Sequence, residues 1–381
     1  MVSIAVRLVL FNHLSASAME YLSKRIENMS PVTSFPRIVE GFHLVSSGIT
    51  SPYVSGYFKL NPISASVVFA AMASREIFFA FLVTCNLLSG WFLAQSSGLI
   101  ASIAFLLNPY TLVSELGLSA EALDMLALAV VSWAATRRQK LGLSTLLISF
   151  VSLNKPIVPY ILIFPLSLIV GQSLLRTGLC TLGWTVVLHI LCFILTGGSS
   201  TYLLETTRSL FLITPDLEPT MGYAWNLLTM SFSETVPFFR LVIYGHIFLV
   251  SVVVFLRFRK LALSDSDNER VNRYFHVMIV CVLVFQPYPT GIDYSLIGSL
   301  LMSTDDRFHD KLSKTMSIVL VSGQLFTSAV GPLWLERNTG NANFLYYLSI
   351  VSTFVGIISA GQCLRVARLA DYSPVKKSKA E

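Results

Sequence analysis

The chain is predicted to be an all-α membrane protein that crosses the bilayer many times. Of its 381 residues, 54% are hydrophobic and only 13% are charged, whereas soluble domains carry about 25% charged residues. The apolar residues are gathered in runs, several of which reach the roughly 20 residues that a membrane-spanning helix needs. Short basic clusters follow two of these runs, as is typical of loops on the cytosolic side.

Twelve apolar runs predict about 12 transmembrane helices. They comprise residues 2–14, 63–84, 86–107, 120–136, 141–153, 157–171, 178–197, 236–256, 274–285, 297–303, 313–330 and 344–364. The first run is interpreted as a membrane helix or an uncleaved anchor, because no small-residue cleavage motif follows closely. Asn154, Lys155 and Pro156 interrupt two of the runs, which therefore form either short helices or a broken pair.

A single membrane domain with three parts is expected. Residues 15–62 form the longest hydrophilic stretch, and its apolar residues recur at helical spacing, which predicts amphipathic helices on the lumenal membrane surface. Residues 63–365 form the transmembrane bundle, and residues 366–381 form a basic cytosolic tail. With the basic clusters 137–140 and 257–260 in the cytosol, about 12 crossings place the hydrophilic stretch outside and the tail inside.

The tail and the composition suggest a location and exclude some functions. The chain ends in Lys377-Ser-Lys379-Ala-Glu381, and such an ending resembles a retrieval signal for the endoplasmic reticulum. The net charge of +6 is divided among loop clusters, so no nucleic-acid surface is expected. Neither the five cysteines nor the six histidines have metal-binding spacing, so neither a metal nor a cofactor is expected.

Catalysis by this chain alone is not favoured by its sequence. A glycosyltransferase that uses a lipid-phosphate sugar needs an acidic residue as base or metal ligand, yet the first aspartate is Asp124. The outer stretch offers Glu20, Glu27 and Glu40, and Glu40 is the best candidate base. A salt bridge or helix cap is the more ordinary role for it. A transporter would need matching broken helices in two halves, and no internal repeat supports one.

Ionisable residues within the apolar runs are candidate functional positions, because burying a charge in lipid is costly. Four such residues are Arg75, Glu76, Asp124 and Asp293. Asp293 follows residues 286–291, where two prolines and a glycine break a helix at membrane depth. Free backbone groups at such a break can line a cavity. Tyr288, Pro289 and Asp293 are therefore candidate cavity-lining residues.

The loop before the last apolar run carries the residues best suited to recognise a ligand. Asn341 and Asn343 lie one residue apart, Phe344 follows them, and Trp334 precedes them. Neutral amides beside aromatic rings at a membrane surface suit a lipid headgroup. A turn or helix cap with interfacial aromatic anchors would use the same residue types, so the sequence leaves both interpretations open.

Six stretches, taken together, resemble the PIG-U family, the multi-spanning subunit of the glycosylphosphatidylinositol (GPI) transamidase. They are Arg25-Ile-Glu-Asn-Met-Ser-Pro31 with Arg37-Ile-Val-Glu-Gly41, Ser51-Pro-Tyr53, Leu106-Leu-Asn-Pro-Tyr-Thr111, Thr214-Pro-Asp-Leu-Glu-Pro-Thr-Met-Gly222, Tyr288-Pro-Thr-Gly-Ile-Asp293 and Gly340-Asn-Ala-Asn-Phe344. Each stretch is short, but their order and spacing extend over most of the chain. The resemblance implies a fold like that of the lipid-linked (GT-C-like) glycosyltransferases, without their catalytic acid motif.

The resemblance further implies a non-catalytic subunit in the endoplasmic reticulum membrane. A caspase-like partner subunit would carry the catalytic Cys and His, and other transamidase subunits would complete the complex. This chain would bind and position the GPI glycolipid, and also the apolar C-terminal signal of the substrate protein. Asn341, Asn343 and Phe344 would contact the glycolipid, because amides donate and accept hydrogen bonds with sugars and phosphates. The alternative is a dolichol-phosphate-mannose-dependent mannosyltransferase of GPI biosynthesis.

Overall fold

A computed structural model describes most of the chain, and its regular elements within the described ranges are helices. The described residues are 2–49, 51–137, 141–155, 158–208, 219–262, 268–286, 288–302, 322–323, 325–326, 329–339 and 341–369. The predicted retrieval signal at Lys377 and Lys379 lies outside these ranges, as does most of the predicted span 313–330.

The first apolar run forms one α-helix, and the hydrophilic N-terminal part forms two α-helices and one short 3-10 helix within the described residues. They are α1 (Val2–His13), α2 (Ala16–Ser23), α3 (Phe35–Ser46) and the 3-10 helix Pro52–Ser55. Ser15 caps α2, because its hydroxyl accepts a hydrogen bond from the Ala18 N–H at 3.2 Å. Residues of α2 and α3 are buried in one core cluster with apolar residues of the bundle, so this part packs onto the protein.

Eight helices follow in the first half of the bundle. They are α4 (Pro62–Ala71), α5 (Arg75–Ser97), α6 (Leu99–Leu106), α7 (Pro109–Leu116), α8 (Glu121–Thr136), α9 (Leu141–Asn154), α10 (Ile163–Val170), which continues the 3-10 helix Val158–Leu162, and α11 (Leu174–Leu195). A short helical segment, Thr201–Leu203, leads into one π-helical turn, Leu204–Arg208. Of the predicted spans, 120–136 and 141–153 agree closely with α8 and α9.

Two predicted spans, 63–84 and 86–107, have the wrong boundaries. The first is divided before Ser74, whose hydroxyl caps α5 by accepting from the Ile77 N–H at 3.2 Å. The second is divided at Gly98, where φ is +95°. Arg75 and Glu76, predicted to lie inside a span, instead form the first turn of α5, and Glu76 is exposed.

Five more helices follow among the described residues, and residues 329–335 are helical as well. The five are α12 (Ala224–Thr229), α13 (Val236–Ala262), α14 (Asn268–Phe285), α15 (Gly291–Met302) and α16 (Ala342–Leu369). The segment between α14 and α15 ends in two hydrogen bonds from Thr290 to the side chain of Asp293. Its Thr290 N–H donates to Asp293 Oδ2 at 2.7 Å, and the Thr290 hydroxyl donates to the same oxygen at 2.9 Å. The predicted break at this position is confirmed, and α15 begins directly after it.

Four described helices are long and apolar enough to cross a membrane. They are Arg75–Ser97, Leu174–Leu195, Val236–Leu256 and Ala342–Gln362. The number is five if the bent pair Leu99–Leu106 and Pro109–Leu116, which turns by 47°, counts as one span. Shorter apolar helices accompany them, among them α9, α15 and residues 160–170. The helical membrane fold is confirmed, whereas the count of about 12 stays a prediction.

Candidate functional site

The predicted binding residues lie together on the first turn of α16. The side chain of Asn341 caps this helix, because its Oδ1 accepts from the Asn343 N–H at 2.9 Å. Asn343 contributes only its backbone to the cap, and both asparagines are exposed. Phe344 and Tyr347 are 63% and 66% exposed, and their spacing puts them on one side of the helix. We call Asn341, Asn343, Phe344 and Tyr347 the α16 surface.

The α16 surface rests on a small apolar cluster. Leu345, which follows Phe344, is fully buried together with Ile26 and Trp225. The Trp334 ring packs on this cluster and stacks on Trp225 with ring centroids 6.0 Å apart. A Cβ atom added at Gly331 would lie 3.2 Å from Ile26 Cγ2. Residues 329–335 are helical rather than a loop as predicted, and the N-terminal part of the chain supports this helical segment before α16.

A buried polar cluster lies where α9 ends. Lys155 Nζ donates to Asp293 Oδ1 at 2.8 Å and to Gln286 Oε1 at 2.9 Å. It also forms an ion pair with Glu121. The preceding residue, Asn154, donates from Nδ2 to Asp124 Oδ1 at 2.9 Å. We call Glu121, Asp124, Asn154, Lys155, Gln286 and Asp293 the Lys155 cluster; all six are buried.

Two points of the hydrophilic N-terminal part are attached to the Lys155 cluster, and a third is attached to the helix that carries Asp293. The Thr33 hydroxyl donates to Glu121 Oε2 at 2.6 Å. The backbone N–H of Gly291, two residues before Asp293, donates to the Glu27 carbonyl at 2.8 Å. The backbone N–H of Asn61 donates to Asn154 Oδ1 at 3.3 Å. One group of buried side chains therefore holds residues that are far apart in the sequence.

Sequence reasoning identified part of the Lys155 cluster. Asp124 and Asp293 were predicted as intramembrane ionisable residues, and both are fully buried. Glu121 and Lys155 were not assigned a site, although a lysine at the end of an apolar run is a usable signal. Pro289 is buried and Tyr288 half-buried. Their role as cavity-lining residues, with Asp293, stays a prediction.

The acidic residues of the outer stretch are mostly engaged in ion pairs. Glu20 pairs with Lys24 at 2.7 Å, and Glu27 pairs with Arg25 at 2.9 Å. Glu40, the best candidate base from sequence, lies half-buried on α3. In the part of the chain that the structure describes, no group of three or more His, Cys, Asp or Glu side chains is placed to hold a metal ion.

A second buried ion pair fixes α1 to the bundle. Arg7 Nε donates to Glu115 Oε2 at 2.7 Å, and both side chains are 1% exposed. The other carboxylate oxygen of Glu115 accepts from Asn86 Nδ2 at 2.8 Å. Arg7 also donates to the Leu106 carbonyl at 3.1 Å. Glu115 is thus fully occupied by structural contacts.

Comparison with known proteins decides the family. The sequence model described as "GPI transamidase subunit PIG-U" matches residues 1–352. This chain belongs to the PIG-U family. The GPI transamidase component GAB1 homolog of Schizosaccharomyces pombe is 25% identical to it over 93% of this chain and 89% of its own length. The human GPI-anchor transamidase component PIGU is 22% identical over 92% of this chain and 88% of its own. The Saccharomyces cerevisiae component GAB1 is 24% identical over 91% and 88%.

Proposed function

We propose that this chain is a non-catalytic subunit of a GPI transamidase in the endoplasmic reticulum membrane, which binds and positions the GPI glycolipid at the α16 surface. The observation that carries the proposal is the exposed group of Asn343, Phe344 and Tyr347 at the start of an apolar helix. An amide can bind sugar hydroxyls and phosphate oxygens, while the rings contact acyl chains or sugar faces. Family relatives carry the name of transamidase components.

The ion pairs of the acidic residues support a non-catalytic role. A general base or metal ligand needs a carboxylate that can reach a substrate. Glu115, Glu121 and Asp293 are buried and hold structural ion pairs. The alternative, a dolichol-phosphate-mannose-dependent mannosyltransferase, would need a free acid on the outer side. Glu40 is the residue to test for it, by Glu40→Gln and an assay of mannose transfer by the purified chain.

The α16 surface can be tested with substitutions that separate ligand binding from helix capping. Asn341→Ser removes the amide but keeps an oxygen that caps. Asn343→Ala removes an exposed amide within the first turn and improves helix propensity. We expect both variants to lower GPI attachment to a reporter protein several-fold while complex assembly is retained. Normal attachment in both variants would refute the assignment of this surface.

The proposed partners can be tested by purification of the full chain in mild detergent. We expect a caspase-like subunit and further membrane subunits to copurify, because a non-catalytic subunit needs a partner that carries the nucleophile for cleaving the C-terminal signal. The bound apolar signal should crosslink to this chain within that complex. Recovery of the chain alone, active on a lipid-linked sugar, would favour the mannosyltransferase.

A further inference from the structure

We infer that Lys155 is a positioning residue for the α16 surface. The inference rests on the proposed function, which places the glycolipid at that surface. Lys155 belongs to the buried Lys155 cluster and would act through residues 26–33, which connect the cluster to the apolar support of α16. Two sets of contacts and the charges of the cluster support this connection.

First, one end of residues 27–33 is attached to a carboxylate that pairs with Lys155, and the other end is attached to the helix that carries a second such carboxylate, that of Asp293. The Thr33 hydroxyl donates to Glu121 at 2.6 Å. At the other end, the Glu27 carbonyl accepts from the Gly291 N–H at 2.8 Å, in the first turn of the helix that Asp293 caps. The ammonium of Lys155 forms ion pairs with both Glu121 and Asp293.

Second, the residue before this segment touches the support of the α16 surface. Ile26 is 2% exposed and is buried with Trp225 and Leu345. The backbone of Gly331 approaches it so closely that an added Cβ would lie 3.2 Å from Ile26 Cγ2. A displacement of residues 26–33 would therefore remove packing directly behind Phe344.

Third, the charges make the cluster depend on the lysine. Glu121 and Asp293 are 2% and 0% exposed, so water cannot replace a lost ammonium. Without it, two buried carboxylates would repel each other with no counter-ion. If the carboxylates of Glu121 and Asp293 move apart, they displace the residues bonded to them, which are Thr33 and the start of α15.

The position of Ile26 can be measured by disulfide formation between Ile26→Cys and Gly331→Cys. The Cβ of Ile26 lies 3.8 Å from an ideal Cβ at Gly331, within the roughly 3.5–4.5 Å of natural disulfides. The change at Ile26 also removes the Cγ2 atom that makes the closest approach. The rate would be followed in the full chain in mild detergent with a copper oxidant, and the 26–331 disulfide identified by mass spectrometry.

We expect Lys155→Met to slow this disulfide at least about tenfold, because it breaks a buried ion pair, and Lys155→Arg to keep most of the rate. Lys24→Met is the matched control, since Lys24 pairs with Glu20 at an exposed position. If Lys155→Met does not fold, Thr33→Val decides, because it removes only the hydroxyl donor and should slow the reaction a few-fold. An unchanged rate in the folded variant would overturn the inference.

The effect on function is tested separately. Lys155→Met should lower GPI attachment to a reporter, and the preformed 26–331 disulfide should restore it until a reductant is added. Loss of attachment that the disulfide does not restore would mean a merely structural role and would overturn the inference. The proposed function has its own readout. If Asn343→Ala leaves attachment normal, the ligand assignment fails, whereas the crosslinking rate still decides whether Lys155 positions the support of the α16 surface.

Discussion

At the scale of single residues, the three carboxylates of the Lys155 cluster are held differently. Asp293 uses both oxygens, one toward Lys155 and one toward Thr290. Asp124 accepts from Asn154 with Oδ1, and its Oδ2 has no hydrogen-bond partner among the described residues. The ammonium of Lys155 forms ion pairs with Glu121 and Asp293. A negative charge on Asp124 is therefore the least needed of the three.

This difference predicts unequal losses of stability for two similar substitutions. Asp293→Asn removes the ion pair with Lys155 and should destabilise the protein by about 3–5 kcal/mol. Asp124→Asn keeps an oxygen for Asn154 and removes neither ion pair of Lys155, so we expect a change of less than about 1 kcal/mol. Unfolding of the purified full chain in mixed micelles measures both. Equal destabilisation by the two variants would contradict the different roles given to Asp293 and Asp124.

At the scale of elements, apolar patterning predicted helices well where polar residues border them. The run 141–153 agrees with α9 because basic residues precede it and Asn154 and Lys155 follow. The boundaries failed inside continuous apolar sequence. There, Ser74 begins a new helix by capping and Gly98 ends one with a positive φ. A serine or glycine is common within transmembrane helices, so neither residue type marks a break by itself.

The backbone conformation at Gly98 predicts that alanine destabilises the protein at this position but not at every glycine. Gly98 has φ +95° and ψ +165°, a conformation that is essentially restricted to glycine, so Gly98→Ala should cost about 1–3 kcal/mol. Gly183, in the middle of α11, has open space around its Cβ position and no positive φ. Gly183→Ala should therefore be neutral or stabilise the chain by up to about 1 kcal/mol. Thermal unfolding in the same detergent compares the pair, and a cost at Gly183 matching that at Gly98 would refute the explanation by backbone strain.

At the scale of the whole molecule, the two candidate regions differ in how far sequence can reveal them. Asn341, Asn343 and Phe344 are neighbours in the chain, so a local pattern identified them. Glu121, Lys155 and Asp293 are distant in the chain, and only the packing of three helices brings them together. Each is unremarkable in its own stretch, which is why sequence reasoning assigned Asp293 to a cavity and gave Lys155 no role.

The predicted topology can be tested on the whole chain with two exposed positions. Ser47 lies after α3, on the side predicted to be lumenal, and Arg259 lies near the end of α13, on the side predicted to be cytosolic. In sealed microsomes, an impermeable maleimide should label Arg259→Cys at once and Ser47→Cys only after permeabilisation, because basic clusters remain cytosolic. The chain without either substitution is the control for its native cysteines. Labelling of both variants in sealed vesicles would refute the topology.

The contact between the Glu27 carbonyl and the Gly291 N–H also has a consequence for biosynthesis. Its two residues are separated by about 260 positions, which a ribosome adds in roughly 15–50 s at 5–20 residues per second. During that time the hydrophilic N-terminal part has only some of its final neighbours. Its apolar side chains then need temporary protection, so the nascent chain should depend on chaperones until α15 has been synthesised.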